Sequence, residues 1–234
     1  MRELEITTPR GTARVRITDP AAAPGALLVL GHGAGGDVDA PDLTAVHDAA
    51  VAAGVSVALV TQPYRVAGRR APAPATHLDE AWTAVVTALS SPLPPTASSL
   101  PSTASSLPSA ASPLPLTASP LPLTASSLPL IVGGRSSGAR VACRTASAVG
   151  AAGVLALAFP LHPPGKPEKS RAGELSPTLP TLVVNGDRDP FGVPVASGNV
   201  SVVVRPGAVH DLRKDLPGTA AAVVDWLRRN AWAH

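Results

Sequence analysis

Gly134-Arg135-Ser136-Ser137-Gly138 sets a serine between glycines, directly after the apolar run 130–132 and directly before a segment rich in Ala and Val. A strand that turns at once into a helix leaves almost no room beside the turn. Glycines two positions either side of Ser136 meet that demand. Such a turn lifts a hydroxyl above the sheet at the start of a helix, where the backbone N–H of Ser137 faces any negative charge that develops. The chemistry served is nucleophilic attack by Ser136 on a carbonyl carbon. By itself the motif also fits an ordinary glycine-rich turn, and it is the strand-turn-helix context that selects the nucleophile.

A serine needs a base, and the base needs something to orient it. His210, in Gly207-Ala208-Val209-His210-Asp211, follows the apolar run 200–204 at a suitable distance. His47 and His77 fall in expected helices, His162 in a Pro-rich loop, and His234 is the last residue, so His210 is the histidine expected to act. The acid is sought in Asn185-Gly186-Asp187-Arg188-Asp189-Pro190-Phe191-Gly192, after the run 181–184. Two aspartates compete there. Asp189 has a proline after it to fix the loop and is the expected acid, whereas Asp187, nearer the strand end, suits a turn-stabilising role.

Gly31-His32-Gly33-Ala34-Gly35-Gly36 follows the run 26–30 and precedes a helix. Its glycines would let backbone N–H groups face an anion, as a phosphate loop does. The loop lacks the lysine and hydroxyl residue of a P-loop, and its spacing departs from the dinucleotide fingerprint. The His-Gly-x-Gly form suits the second half of an oxyanion hole. The donors expected are the N–H of Ser137 and that of Ala34, with Gly33 the second choice in the loop. His32 is expected to be structural, because the backbone already supplies the donors.

These loops must be carried by something. The segments 3–6 and 13–17 alternate apolar with polar residues, as antiparallel strands do. The runs 26–30, 55–60, 130–132, 154–157, 181–184 and 200–204 are short and largely apolar, which is how strands covered on both faces read. Helices are expected over 41–53, 77–89, 137–149 and 219–230, the first capped by Asp39 and ended by Gly54. Strands alternating with helices give an α/β fold with a mainly parallel sheet and helices on both faces. Ligands in such sheets sit beyond the carboxyl ends of the strands, where all the loops above lie.

The chain has 234 residues, 45% of them hydrophobic, enough for one substantial α/β domain over 1–234. Its formal charge of +3 comes from 19 Lys plus Arg against 16 Asp plus Glu without a long run of one sign, so neither nucleic acid nor an anionic membrane is expected as a partner. A single cysteine, Cys143, forms no intrachain disulfide, and the start of the chain lacks the apolar core of a secretory signal. Both point to a cytoplasmic protein. The domain is interrupted at 91–129 by units of seven residues (PPTASSL, PSTASSL, PSAASPL, PLTASPL, PLTASSL), each with a proline that forbids a helical reading. A disordered or polyproline-like insertion without a catalytic role is expected there.

Taken together the motifs resemble the α/β-hydrolase superfamily, in its small dienelactone-hydrolase-like branch. They are most similar to the domains grouped with the testis-expressed protein thirty and the NSL-complex subunit three. The resemblance rests on the HGAGG loop at 31–36, the GGRS elbow ending in Gly-x-Arg at 133–140, and the G-x-x-D-P-F-G acid loop at 186–192, and it covers nearly all of the chain outside 91–129. It implies an α/β-hydrolase fold, the order Ser, Asp, His for the triad, and a hydrolase. Elbows of this group often read S-M-G-G-R, and here the stretch is Ser136-Ser137-Gly138-Ala139-Arg140, which keeps the nucleophile and the close-packing glycine.

The expected reaction is hydrolysis of a small-molecule carboxylic ester or thioester through an acyl-enzyme, with no metal or organic cofactor because no Cys/His/Asp/Glu ligand cluster stands out. Between the runs 154–157 and 181–184 the chain is too short for a large helical cap, so the site should be open. Arg135 and Arg188 could hold an anionic acyl group, though solvation at the surface is the preferred expectation for both. Two other readings keep the fold: an interaction module without catalysis, and an acyltransferase using the same three residues.

Overall fold

The computed structural model describes residues 1–90, 128–175 and 178–234. The repeat therefore lies outside the described residues except for Leu128 and Pro129, and the carbonyl of Pro129 already accepts the N–H of Leu27 at 2.9 Å.

Among the described residues eight strands form one sheet. They are β1 (Arg2–Thr8), β2 (Gly11–Thr18), β3 (Leu27–Gly31), β4 (Ser56–Thr61), β5 (Leu130–Arg135), β6 (Gly153–Leu157), β7 (Thr181–Gly186) and β8 (Val200–Arg205), in the spatial order β1-β2-β4-β3-β5-β6-β7-β8. β1 and β2 pair antiparallel, as does β2 with β4, and every other pairing is parallel. The helices are α1 (Pro41–Ala52), α2 (Pro63–Val66), α3 (Ala75–Ser90), α4 (Ser137–Thr145) and α5 (Leu216–Arg229).

Alternation along each central strand divides the core. Val29, Val132, Ala156 and Val183 point to one face and pack with Trp82, Val85 and Val86 of α3 and Val141 and Ala142 of α4. Their neighbours Leu28, Leu30, Ile131, Leu155 and Leu182 point to the other and pack with Leu43 and Val46 of α1 and Val223, Trp226 and Leu227 of α5. A period of two makes this two-sided burial obligatory, and it explains why the strands read as continuous apolar runs.

Local departures from the expected elements have local causes. Asp39 does not cap α1. The N-cap is Ala40, without a side-chain cap, and Asp39 instead pairs with Arg16 of β2. α4 stops at Thr145, and a series of turns follows, short of the expected 149. α5 starts three residues early because Asp215 accepts the N–H of Gly218 at 2.9 Å, a cap that the sequence pattern did not single out.

From β3 the chain moves outward to β4, then α3 carries it back across β3 to β5. Strand order reverses between β3 and β5, and such a reversal opens a crevice at the carboxyl ends of the strands. The loop Gly31 to Gly36 and the elbow at Ser136 flank that crevice.

Candidate active site

β5 ends at Arg135 and α4 begins at Ser137, so Ser136 makes the whole turn alone. Its backbone takes φ 54° and ψ −111°, a conformation costing roughly 1–3 kcal/mol for a residue with a Cβ. The Ser136 N–H donates to Leu157 O at 2.9 Å, fastening the elbow to the end of β6. A Cβ on Gly138 would lie 2.5 Å from the carbonyl oxygen of Gly31 and 2.8 Å from that of His32. A bare position there lets the first turn of α4 press against the β3 loop.

The Ser136 hydroxyl meets His210 Nε2 at 2.9 Å, and His210 Nδ1 meets Asp189 Oδ2 at 2.8 Å. An ionised carboxylate only accepts, so Nδ1 carries the proton and Nε2 is left as acceptor for the serine hydroxyl. The Asp189 side chain is 0% exposed. Phe191 stacks on the His210 ring, with centroids 4.3 Å apart and planes at 36°, and limits its rotation.

The Asp189 carboxylate is itself held. Its Oδ1 accepts the N–H of Phe191 at 2.9 Å, and its Oδ2 accepts a longer bond from Asn185 Nδ2 at 3.4 Å. Asn185, wholly buried at the end of β7, also donates to Gly192 O at 3.1 Å. Asp187 stands apart and is exposed; its Oδ1 accepts the N–H of Gly207 at 2.6 Å and joins the acid loop to the histidine loop.

His32 is buried in the β3 loop. Its Nε2 accepts the N–H of Gln62 at 3.1 Å, so its Nδ1 is the protonated nitrogen and donates to Gly33 O at 2.8 Å. Burial pushes the His32 pKa down, which keeps the ring neutral and suits these two bonds. Tyr64 of α2 donates its hydroxyl to Ala34 O at 2.8 Å and so fixes the peptide that follows Ala34. A Cβ built on Gly33 would come 3.6 Å from the Cβ of Ser136, so the loop lies against the elbow. Opposite it stands Ser137, first residue of α4, whose N–H has no partner within its own helix. Ser136, His210 and Asp189 are thus brought together, with Gly33 against the Ser136 Cβ, Ser137 next in the chain, and Ala34 following Gly33 in the loop.

Arg135 departs from the expected surface role. It is half-buried, and its Nε lies 2.9 Å from Oδ2 of Asp42, which is itself fully buried in the first turn of α1. The two atoms meet by charge and without an aligned hydrogen bond. Burial raises the Asp42 pKa, and the Arg135 charge opposes that shift. Arg188 is exposed, as expected.

The segment after β6 builds no helical cap among its described residues. It contains a 3₁₀ turn at Ala172–Glu174, where Glu174 takes both Arg140 Nε at 2.8 Å and Arg140 Nη2 at 2.5 Å. That pair ties the turn down onto α4. Among the described residues no group of three or more His, Cys, Asp or Glu could hold a metal ion, and no helix is long and apolar enough to cross a membrane.

Four residues that shape the site were given no role from the sequence. Asn185 and Phe191 stand in the acid-loop motif, Asn185 as a lone amide at the end of an otherwise apolar strand, but their contacts depend on the loop path. Asp42 and Tyr64 had no signal, because their partners are distant in the chain.

Comparison with known proteins agrees with the architecture. Residues 115–215 match a family model described as an alpha/beta hydrolase domain. No curated protein matches the chain. Among solved structures, a serine hydrolase without a lid from Xanthomonas campestris superposes with a TM-score of 0.69 at 16% identity, covering 97% of this chain and 94% of that one. Est1E from Butyrivibrio proteoclasticus gives 0.66 at 14% identity, covering 98% of each chain. A dienelactone hydrolase from Anabaena variabilis gives 0.65 at 17% identity, covering 100% of this chain and 98% of that one. The chain has the α/β-hydrolase fold.

Proposed function

We propose that this protein is a cytoplasmic serine hydrolase that cleaves a small carboxylic ester or thioester through an acyl-enzyme. The reading is carried by the unbroken row Ser136–His210–Asp189, with contacts of 2.9 and 2.8 Å and the acid wholly buried.

In this mechanism His210 Nε2 takes the hydroxyl proton as Ser136 Oγ bonds to the carbonyl carbon, while Asp189 holds the imidazole in the required tautomer and stabilises its cation. The N–H groups of Ser137 and Ala34 receive the oxyanion, each worth on the order of 3 kcal/mol in the transition state, with Gly33 the second choice in the loop. Collapse of the tetrahedral intermediate breaks the bond to the alcohol or thiol, which leaves with the proton held by His210. Water then gives a proton to His210 as it attacks the acyl carbon, and the second collapse returns that proton to Ser136 and frees the acid.

The lack of a helical cap among the described residues favours small or extended substrates, and the serine hydrolase and dienelactone hydrolase among the structural neighbours support hydrolysis as the reaction. The group of the testis-expressed protein thirty and the NSL-complex subunit three remains the proposed affiliation, on the loop motifs alone. Release of p-nitrophenol from p-nitrophenyl acetate tests the proposal. Turnover is expected in the wild type and lost in Ser136→Ala; equal turnover by both proteins contradicts it.

A further inference from the structure

Arg135 immediately precedes the nucleophile, yet its side chain is only 17% exposed, reaches the histidine loop and α1, and passes close to the β3 loop. Nη2 donates to the backbone carbonyl of His210 at 3.3 Å. Nε faces the buried carboxylate of Asp42 at 2.9 Å. Nη1 lies 3.0 Å from where a Cβ of Gly33 would stand, so the glycine of the β3 loop clears the path of the guanidinium.

We propose that Arg135 is a positioning residue that ties the histidine loop and the start of α1 to the nucleophile elbow, with Asp42 as its anchor. This rests on the serine hydrolase reading above. The planar fork of arginine has N–H groups pointing in several directions and can hold the His210 carbonyl while facing Asp42, which a single ammonium does less well. A half-buried guanidinium gains from a counter-charge, and Asp42 supplies it from the first turn of α1. The elbow, the histidine carbonyl and the start of α1 are thereby held in one arrangement. The reacting atoms need this, because a displacement of about 1 Å in a catalytic site lowers the rate by roughly 10²-fold. The arrangement also gives Gly33 a clearance role alongside its proposed one as a donor.

A fluorophosphonate tests this without knowledge of the natural substrate. In that reaction a bond forms between Ser136 Oγ and phosphorus, fluoride leaves, and His210 takes the proton. Labelling rates are measured for the full-length wild type, Ser136→Ala, Arg135→Met, Arg135→Lys, Asp42→Asn and the double variant Arg135→Met/Asp42→Asn, with thermal unfolding of each. Arg135→Met is expected to label about 10- to 100-fold more slowly while still unfolding cooperatively. Its kcat on p-nitrophenyl acetate should fall in parallel and its KM change by less than about threefold, the split of an interaction made only in the transition state. Arg135→Lys should recover part of the loss. Asp42→Asn should slow labelling in the wild-type background and have no further effect in Arg135→Met, because the two residues act as one unit.

Equal labelling of wild type and Arg135→Met overturns the inference and leaves the hydrolase reading standing. No labelling of the wild type overturns that reading itself. Should Arg135→Met not fold, the decision passes to Arg135→Lys and Asp42→Asn: wild-type rates in both overturn the inference, and slowed rates in both support it.

Discussion

Asn185 and Phe159 are clasped through both faces of one peptide pair. The Asn185 Oδ1 accepts the Phe159 N–H at 2.8 Å, and Asn185 Nδ2 donates to the Phe159 carbonyl at 3.0 Å. The same side chain reaches Asp189 Oδ2 at 3.4 Å, so one buried amide joins the end of β6 to the acid. Replacement by leucine strands two buried backbone groups, at roughly 1–3 kcal/mol each. Asn185→Leu is expected to lose about 2–5 kcal/mol in urea unfolding and most of the proposed esterase activity; a loss under about 1 kcal/mol would show that Phe159 finds other partners.

Asp189 and Asp187 separate cleanly by mutation. Asp189→Asn leaves the shape intact but presents an amide that favours the wrong histidine tautomer, and kcat should fall on the order of 10⁴-fold. Asp187→Asn keeps an acceptor for Gly207 and should stay within about threefold of wild type. Steady-state kinetics on p-nitrophenyl acetate compares them, and the reverse ranking would reassign the acid.

His32 gives the fold a pH dependence. Burial lowers its pKa below the ordinary 6.5, so the folded ring stays neutral where the unfolded chain takes up a proton. The unfolded state then binds more protons, and the stability owed to His32 is complete above that ordinary value. It is lost as pH falls below it, by up to about 1.4 kcal/mol per pH unit, until the lowered folded pKa is reached. Urea midpoints from pH 8 to pH 5 should therefore fall more steeply for wild type than for His32→Gln, since the other histidines are common to both. Parallel slopes would contradict a neutral buried His32.

Much of this arrangement could be read from the residues. Each strand at the centre of the sheet coincides with an apolar run, because burial on both faces leaves no choice of residue type, and the loop motifs fall at carboxyl ends because the parallel topology puts them there. The elbow was readable because its glycines answer to sterics within five residues. Arg135 was not: a charged residue beside a nucleophile suits solvent until Asp42, far away in the chain, is placed against it. The cap of α1 failed for a related reason, since Asp39 stands one residue before the N-cap Ala40 and pairs with Arg16 across the fold. Local rules read local geometry, and contacts between charges distant in sequence lay beyond them.

Cys143 lies in α4 behind the elbow, and burial pushes its thiol up to about 12. A thiol that does not ionise does not attack disulfide reagents. Ellman's reagent at pH 8 should leave the folded protein unmodified and release one equivalent of chromophore in urea. Fast reaction of the folded protein would mean that α4 opens away from the sheet.

The central claim is that Ser136 is the nucleophile. Peptide mapping by mass spectrometry after brief treatment of the folded protein with a fluorophosphonate tests it most directly. One phosphonyl group per chain is predicted, on the peptide containing Ser136 and specifically on that residue, with none on heat-unfolded protein or on Ser136→Ala. An unmodified Ser136, or an adduct placed on Ser137 or elsewhere, would contradict the account.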